Sequence, residues 1–209
     1  MRLLVTGCAG SGTGFMAALL RRCGVNCGHE QVFTNDGAID WGEFQAESSW
    51  LAVDRLSKLD SSVRVVHLVR HPLRVARSCV RFFDVEDAQI GDESPEWRKQ
   101  RDVARKFLPA IFEAGTPIER FCRYWSLWNG EIQKHVAWRL RIEDLLPENV
   151  VELCRVVGKS ISRDDAADAL WDTPNNTNSH SYRDPSIALQ DVRSLAELAE
   201  AYGYKFDEV

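Results

Sequence analysis

Residues 3–14 constrain the fold more than any other part of the chain. A short apolar run, Leu3-Leu4-Val5-Thr6, breaks into Gly7-Cys8-Ala9-Gly10-Ser11-Gly12-Thr13-Gly14, and an apolar-periodic stretch from Phe15 to Cys23 follows. That order is a strand, a glycine-rich turn and a helix start. Glycine at positions 7, 10, 12 and 14 leaves much of the turn as bare backbone. Such a turn points several N–H groups and the positive end of a helix at one place, which is how a backbone cradles an anion.

The turn is not a standard nucleotide-triphosphate loop. A Walker A loop reads G-x-x-x-x-G-K-[ST]. Gly7 and Gly12 hold the two glycine positions, but Thr13 stands where the lysine belongs and Gly14 where the magnesium-binding hydroxyl belongs. Without that lysine the loop lacks the charge that follows the β- and γ-phosphates. This counts against a divergent P-loop kinase, which would need ATP and magnesium.

Composition narrows the partners. A chain of 209 residues suffices for one sizeable α/β domain, expected over residues 1–209. A net charge of −5 argues against a general binder of nucleic acid or anionic membranes, so any anion site has to be a local basic patch. No apolar run approaches the roughly 20 residues of a membrane span. The first apolar run is too short for a signal peptide, and the expectation is a cytoplasmic protein. Cys8, Cys23, Cys27, Cys79, Cys122 and Cys154 show no C-x-x-C spacing, so they read as buried thiols and no metal site is expected.

Further along, residues 24–30 form a tight, glycine-bounded segment, and 34–40 are turn-like. Residues 41–58 read mostly as helix, with Trp50, Leu51, Val53 and Leu56 facing the core. Val63 to Val69 is a continuous apolar run of the kind buried in a parallel sheet. Pro72 suits the first turn of a helix reaching about Phe83. Residues 84–96 are acidic and loop-like. Helices are expected over 96–113, 117–134, 147–157, 163–171 and 194–202, with a strand over 136–142 and a polar loop over 174–185. Strands alternating with crossover helices predict a largely parallel sheet covered on both faces. Ligands in such sheets bind beyond the carboxyl ends of the strands.

A second constellation follows the 63–69 strand. Arg70 closes it, and Ser78 lies on the next helix. An arginine there forks two hydrogen bonds onto a phosphate, and a nearby serine adds a donor. Arg74, Arg77 and Arg81 continue along the helix and read first as a solvated basic face beside Asp84 and Glu86. A magnesium-dependent NTPase usually wants an aspartate near such a strand end; this strand contains no acid and ends in a cation. Together the two motifs suggest a nucleotide with two separate anionic groups, bound without a metal.

On these residues the chain resembles the sulfotransferases that use 3′-phosphoadenosine-5′-phosphosulfate (PAPS). Gly10-Ser11-Gly12-Thr13 is similar to the family's 5′-phosphosulfate loop. Leu68-Val69-Arg70-His71-Pro72-Leu73-Arg74 with Ser78 is similar to its 3′-phosphate motif. Arg139 to Leu145 and Ala201-Tyr202-Gly203-Tyr204 also resemble later segments of such enzymes. The resemblance implies a three-layer P-loop NTPase-like α/β fold and sulfuryl transfer from PAPS, as co-substrate, to an acceptor hydroxyl or amine on a small molecule, glycan or lipid. It assigns Gly10, Ser11, Gly12, Thr13 and Gly14 to the 5′-phosphosulfate and Arg70 and Ser78 to the 3′-phosphate. Members usually carry lysine or arginine at the position of Gly10. Its absence keeps open a non-catalytic nucleotide-binding relative.

Transfer to a hydroxyl needs a base near the attacking oxygen. Glu30, with His29 beside it, follows the first helix and is the candidate. Some bacterial members of the resembled family place a glutamate base at a similar point. His67 lies inside a strand and reads as a satisfied core residue. His180 and the amide-rich segment 173–180 read either as a cover over the nucleotide or as a plain surface loop. Trp125 and Trp128, near Tyr124, read first as core packing and second as an acceptor wall.

Overall fold

The computed structural model describes residues 1–34, 36–83, 95–113, 115–136, 138–174 and 186–206. Five strands form one sheet: β1 (Arg2–Thr6), β2 (Cys27–His29), β3 (Ala46–Ser48), β4 (Val63–Val69) and β5 (Arg139–Arg141), in the order β2-β3-β1-β4-β5. Every pairing is parallel. The acidic stretch 84–94, with Asp84 and Glu86, and the loop 175–185, with His180, lie outside the described residues.

Alternation along the strands assigns the two faces. Leu3, Val5, Val66 and Leu68 face α1 (Thr13–Arg22), α5 (Pro147–Val156) and α6 (Arg163–Asp172), sharing a core with Met16, Leu20, Leu153 and Ala166. Leu4 and Val69 face the opposite layer, made by α2 (Pro72–Cys79), α4 (Pro117–Gln133), α7 (Ala196–Ala201) and a 3₁₀ helix over Trp50–Lys58. The chain is thus an α/β protein with an all-parallel sheet flanked by helices. A further helix, α3 (Pro95–Phe107), precedes the short 3₁₀ turn Pro109–Phe112.

The helix ends follow local chemistry. Pro72 takes the first position of α2, and the His71 ring accepts the Leu73 N–H as its cap. Thr116 and Glu119 form a capping box at the start of α4. Along α4, Phe121, Tyr124, Trp125, Trp128 and Ile132 recur at helical spacing and are all fully buried.

Residues 41–58 depart from the helix expected there. Strand β3 is inserted between β1 and β2, and a 3₁₀ helix begins only at Trp50. The Ser49 hydroxyl accepts the Leu51 N–H and stops the strand. Pairing on both sides outweighs the weak strand tendency of Ala46-Glu47-Ser48. The four expected core residues, Trp50, Leu51, Val53 and Leu56, are buried nonetheless. The closing helix expected over 194–202 divides into a 3₁₀ stretch, Leu189–Leu195, and α7.

The turn after β1 presses against β4. A Cβ at Gly7 would run into the Leu68 carbonyl oxygen, a backbone atom that has no room to give. Gly7→Ala is therefore expected to cost about 1–3 kcal/mol by overpacking. At Gly130, inside α4, nothing lies within 4 Å of a built Cβ, so Gly130→Ala is expected to stabilise by roughly 0.5–1 kcal/mol. Urea unfolding of both variants checks the pair; equal effects would contradict the packing described.

Candidate functional site

Strands β1 and β4 are neighbours, yet the chain leaves them toward opposite edges of the sheet. From β1 it runs through α1 to β2; from β4 it runs through α2 and α4 to β5. This is a topological switch point, where open parallel sheets form a crevice beyond the strand ends. The glycine turn and Arg70 stand on its two sides.

The turn shows its backbone to that crevice. Gly10, Gly12 and Gly14 are half-buried, whereas Ser11 and Thr13 are buried between them. Gly10 has φ 83° and Gly12 φ 102°, a region that disfavours any side chain. Gly12 caps α1 without any side-chain acceptor. Among the described residues nothing accepts the N–H groups of Thr13, Gly14 and Phe15. They point out of the helix with its positive dipole end, as an anion-binding terminus does. The Ala9 N–H, in contrast, donates to the buried Tyr124 hydroxyl at 2.6 Å. Burial pushes that phenol well above its usual range, so it stays protonated. Beneath the turn, burial raises the Cys8 thiol to about 12 and pushes the Cys79 thiol well above its ordinary value, leaving both inert.

Ser11 lies within the turn. Its hydroxyl is fully buried on the inner side of the turn, near Gly7, and its N–H donates to the Cys8 carbonyl at 3.0 Å. Among the described residues that hydroxyl has no hydrogen-bond partner. The small size of serine, which suits it to a ligand contact, also lets it fold under a tight turn.

Arg70 crosses to the turn. Its guanidinium donates to the Gly10 carbonyl at 3.0 Å. Ser78 lies at the same place on α2: a Cβ at Gly10 would sit 3.6 Å from the Ser78 Cβ and 3.3 Å from Val75 Cγ1. The two sequence constellations thus adjoin. Of the other arginines on α2, Arg74 is exposed and Arg77 donates to the Ile187 carbonyl at 2.9 Å, a structural tie. The Arg81 side chain lies outside the described residues.

The end of β5 closes a third side. Ile142 packs onto Gly12, where a Cβ would overlap it. Glu143 accepts the His71 N–H at 3.0 Å and the Tyr204 hydroxyl at 2.9 Å. Tyr204 thereby braces the start of α2.

His29 and Glu30 return to the turn through β3. The His29 ring donates from Nδ1 to the Ser48 carbonyl at 2.7 Å, and the Ser48 hydroxyl donates to the Thr13 carbonyl at 2.8 Å. With Nδ1 donating, His29 Nε2 carries the lone pair in the neutral ring and lies 3.9 Å from Glu30 Oε1. Glu30 is near enough to Tyr124 to act on its ionisation. Its backbone sits at φ 57°, unusual for a residue with a side chain. Strain of this kind persists only where the surroundings over-determine it, often at functional positions.

The remaining candidates belong to the core. His67 is buried, and its Nε2 meets Asn129 Oδ1 at 3.0 Å. Burial lowers it to about 4, so it is neutral. Trp125 and Trp128 are fully buried and pack against Tyr202 and Trp50. Sequence reasoning missed Tyr124, Ser48 and Glu143 as supports of the turn, and also Glu47. Glu47 is fully buried on β3, and burial raises its carboxyl to about 7. A charged residue flanked by small ones was the available signal for Glu47. For the others the spacing carries none. Among the described residues no cluster of three or more His, Cys, Asp or Glu side chains is placed to hold a metal ion, and no helix is long and apolar enough to cross a membrane.

In comparisons with known proteins, no family model matches the chain and no curated protein does.

The two buried titrating groups have opposite signs. Between pH 4.5 and about 7 folded Glu47 keeps a proton that the unfolded chain has lost, so its contribution falls as pH rises. Between about 4 and 6.5 the unfolded chain protonates His67 and the folded one does not, so that contribution rises with pH. Glu47→Gln is expected to remove the first slope. Its stability then climbs more steeply than wild type from about pH 4 to 6.5. Urea unfolding across that range checks this, and curves that run parallel would contradict it.

Proposed function

We propose that the chain is a PAPS-dependent sulfotransferase of the three-layer P-loop NTPase-like kind, transferring a sulfuryl group to an acceptor hydroxyl or amine. One observation carries the reading. Arg70 donates to Gly10, so a cation lies against a turn whose own side chains supply none. Uncapped N–H groups at Thr13, Gly14 and Phe15, together with Arg70 and Ser78 beside Gly10, support a reading of two anion positions. Bare glycine where a Cβ would crowd the turn leaves room for close approach.

The residues present suit a bisphosphorylated nucleoside. PAPS, when bound, supplies the sulfuryl group and leaves as adenosine 3′,5′-bisphosphate. The N–H groups of Thr13, Gly14 and Phe15 would hold its 5′ anion, with Gly10 and Gly12 shaping the cradle and Ser11 supporting it from inside. Arg70 and Ser78 would hold the 3′-phosphate. A guanidinium has five N–H donors in a rigid fork, so one side chain is able to engage both the Gly10 carbonyl and an anion. A fixed cation there would stabilise developing negative charge without reorganisation. Glu30 would take the acceptor's proton as general base, and His29, fixed by Ser48, would orient it.

Calorimetric titration with adenosine 3′,5′-bisphosphate tests the assignment. Arg70→Ala is expected to weaken binding by about 1.5–3 kcal/mol, the worth of a charged hydrogen bond, with folding checked by circular dichroism. Unchanged affinity would contradict it. Labelled PAPS over a panel of acceptors then reads turnover. Binding without turnover would point to the non-catalytic relative, and a preference for ATP with magnesium to a kinase.

A further inference from the structure

Glu47 has no direct place in that chemistry, yet it is built into the turn that carries Glu30. It stands on β3 paired with Leu4 on one side and Gly28 on the other, fully buried. Its Oε1 accepts the Gln31 N–H at 3.0 Å. The N–H groups of Glu30 and Val32 lie close enough to favour its ionised form as well. Its Oε2 lies against Gly28, where a Cβ would overlap it. One backbone donor, the Gln31 N–H, thus reaches the buried carboxyl, and Oε2 has no hydrogen-bond partner among the described residues. Glu30, next to Gln31, has the left-handed φ of 57°. Consecutive N–H groups that pass through the left-handed region form a concave nest for an anion. In most nests the anion is a ligand; here it is the chain's own side chain.

We propose that Glu47 is a positioning residue, whose carboxyl accepts the Gln31 N–H and so holds the neighbouring Glu30 in its left-handed conformation at the crevice. The inference rests on the reading of Glu30 as the base. It explains two features that are otherwise unrelated. A side-chain-bearing residue keeps a disfavoured backbone conformation, and an acid is buried inside a parallel sheet, where unpaired carboxyls are costly. Gly28 then has a reason as well, since any side chain there would displace the carboxylate from the nest.

Two variants and one wild-type measurement test this. Glu47→Leu removes the acceptor, and Glu47→Gln restores an oxygen for the Gln31 N–H. In Glu47→Leu residue 30 is expected to leave the left-handed region, read from backbone chemical shifts. Turnover falls by about tenfold or more, within the range general bases supply, while the KM for PAPS stays unchanged. Glu47→Gln recovers most of both. A residue 30 that keeps its conformation in both variants overturns the proposal, as does a parallel loss of kcat and nucleotide binding. If Glu47→Leu does not fold, the wild-type amide resonances of Gln31 and Val32 decide. They are expected to move together as Glu47 ionises, and an unresponsive Gln31 amide overturns the proposal. Failure of wild type to bind adenosine 3′,5′-bisphosphate counts against sulfuryl transfer alone, because the conformation of residue 30 is read without nucleotide.

Discussion

Between Thr6 and Thr13 the backbone turns back against the Leu68 carbonyl, the flank of α2 and the Ile142 side chain, and glycine is what fits at each contact. That crowding is the constraint on which the rest depends. It strips side chains from the turn, so the polar surface left at the strand ends is backbone N–H. It also draws β1, β4 and β5 together, because each contributes one wall. A turn with larger residues would open the crevice and cap α1 with its own side chains.

Supports for this turn come from elements far apart in the chain. Tyr124 reaches it from α4, Ser48 from β3, Arg70 from β4, and Glu143 holds α2 against the carboxyl-terminal segment. Each is a single hydrogen bond of modest net worth, but each satisfies a group that burial would otherwise make costly. On the proposed reading they would also preorganise the site, since donors and acceptors are oriented before any ligand arrives. Buried Cys8 and Cys79 beneath it stay protonated and add no competing charge.

The sheet and its switch point were legible where the signal is local. The run Val63 to Val69 reads as a buried strand because apolar continuity survives burial on both faces, and Arg70 stands out because a cation ends it. The turn reads from its glycines. Strand β3 was hidden, because three residues cannot show a period and its helical-looking neighbours dominate the window. That one miss concealed Glu47 and Ser48 together, since on a helix neither would face β2 or α1. The Tyr124 ring packs in the core beside Trp128, but only the fold shows its hydroxyl under Ala9. Residue type and spacing suggest a ligand contact for Ser11, and only the fold shows that its hydroxyl is buried without a partner among the described residues.

The most direct measurement is a crystal structure of the chain with adenosine 3′,5′-bisphosphate. The 5′-phosphate is expected on the N–H groups of Thr13, Gly14 and Phe15, and the 3′-phosphate on the Arg70 guanidinium and the Ser78 hydroxyl. A nucleotide lodged away from the glycine turn, or one whose phosphates leave Arg70 untouched, would contradict the reading of the crevice as a two-anion site.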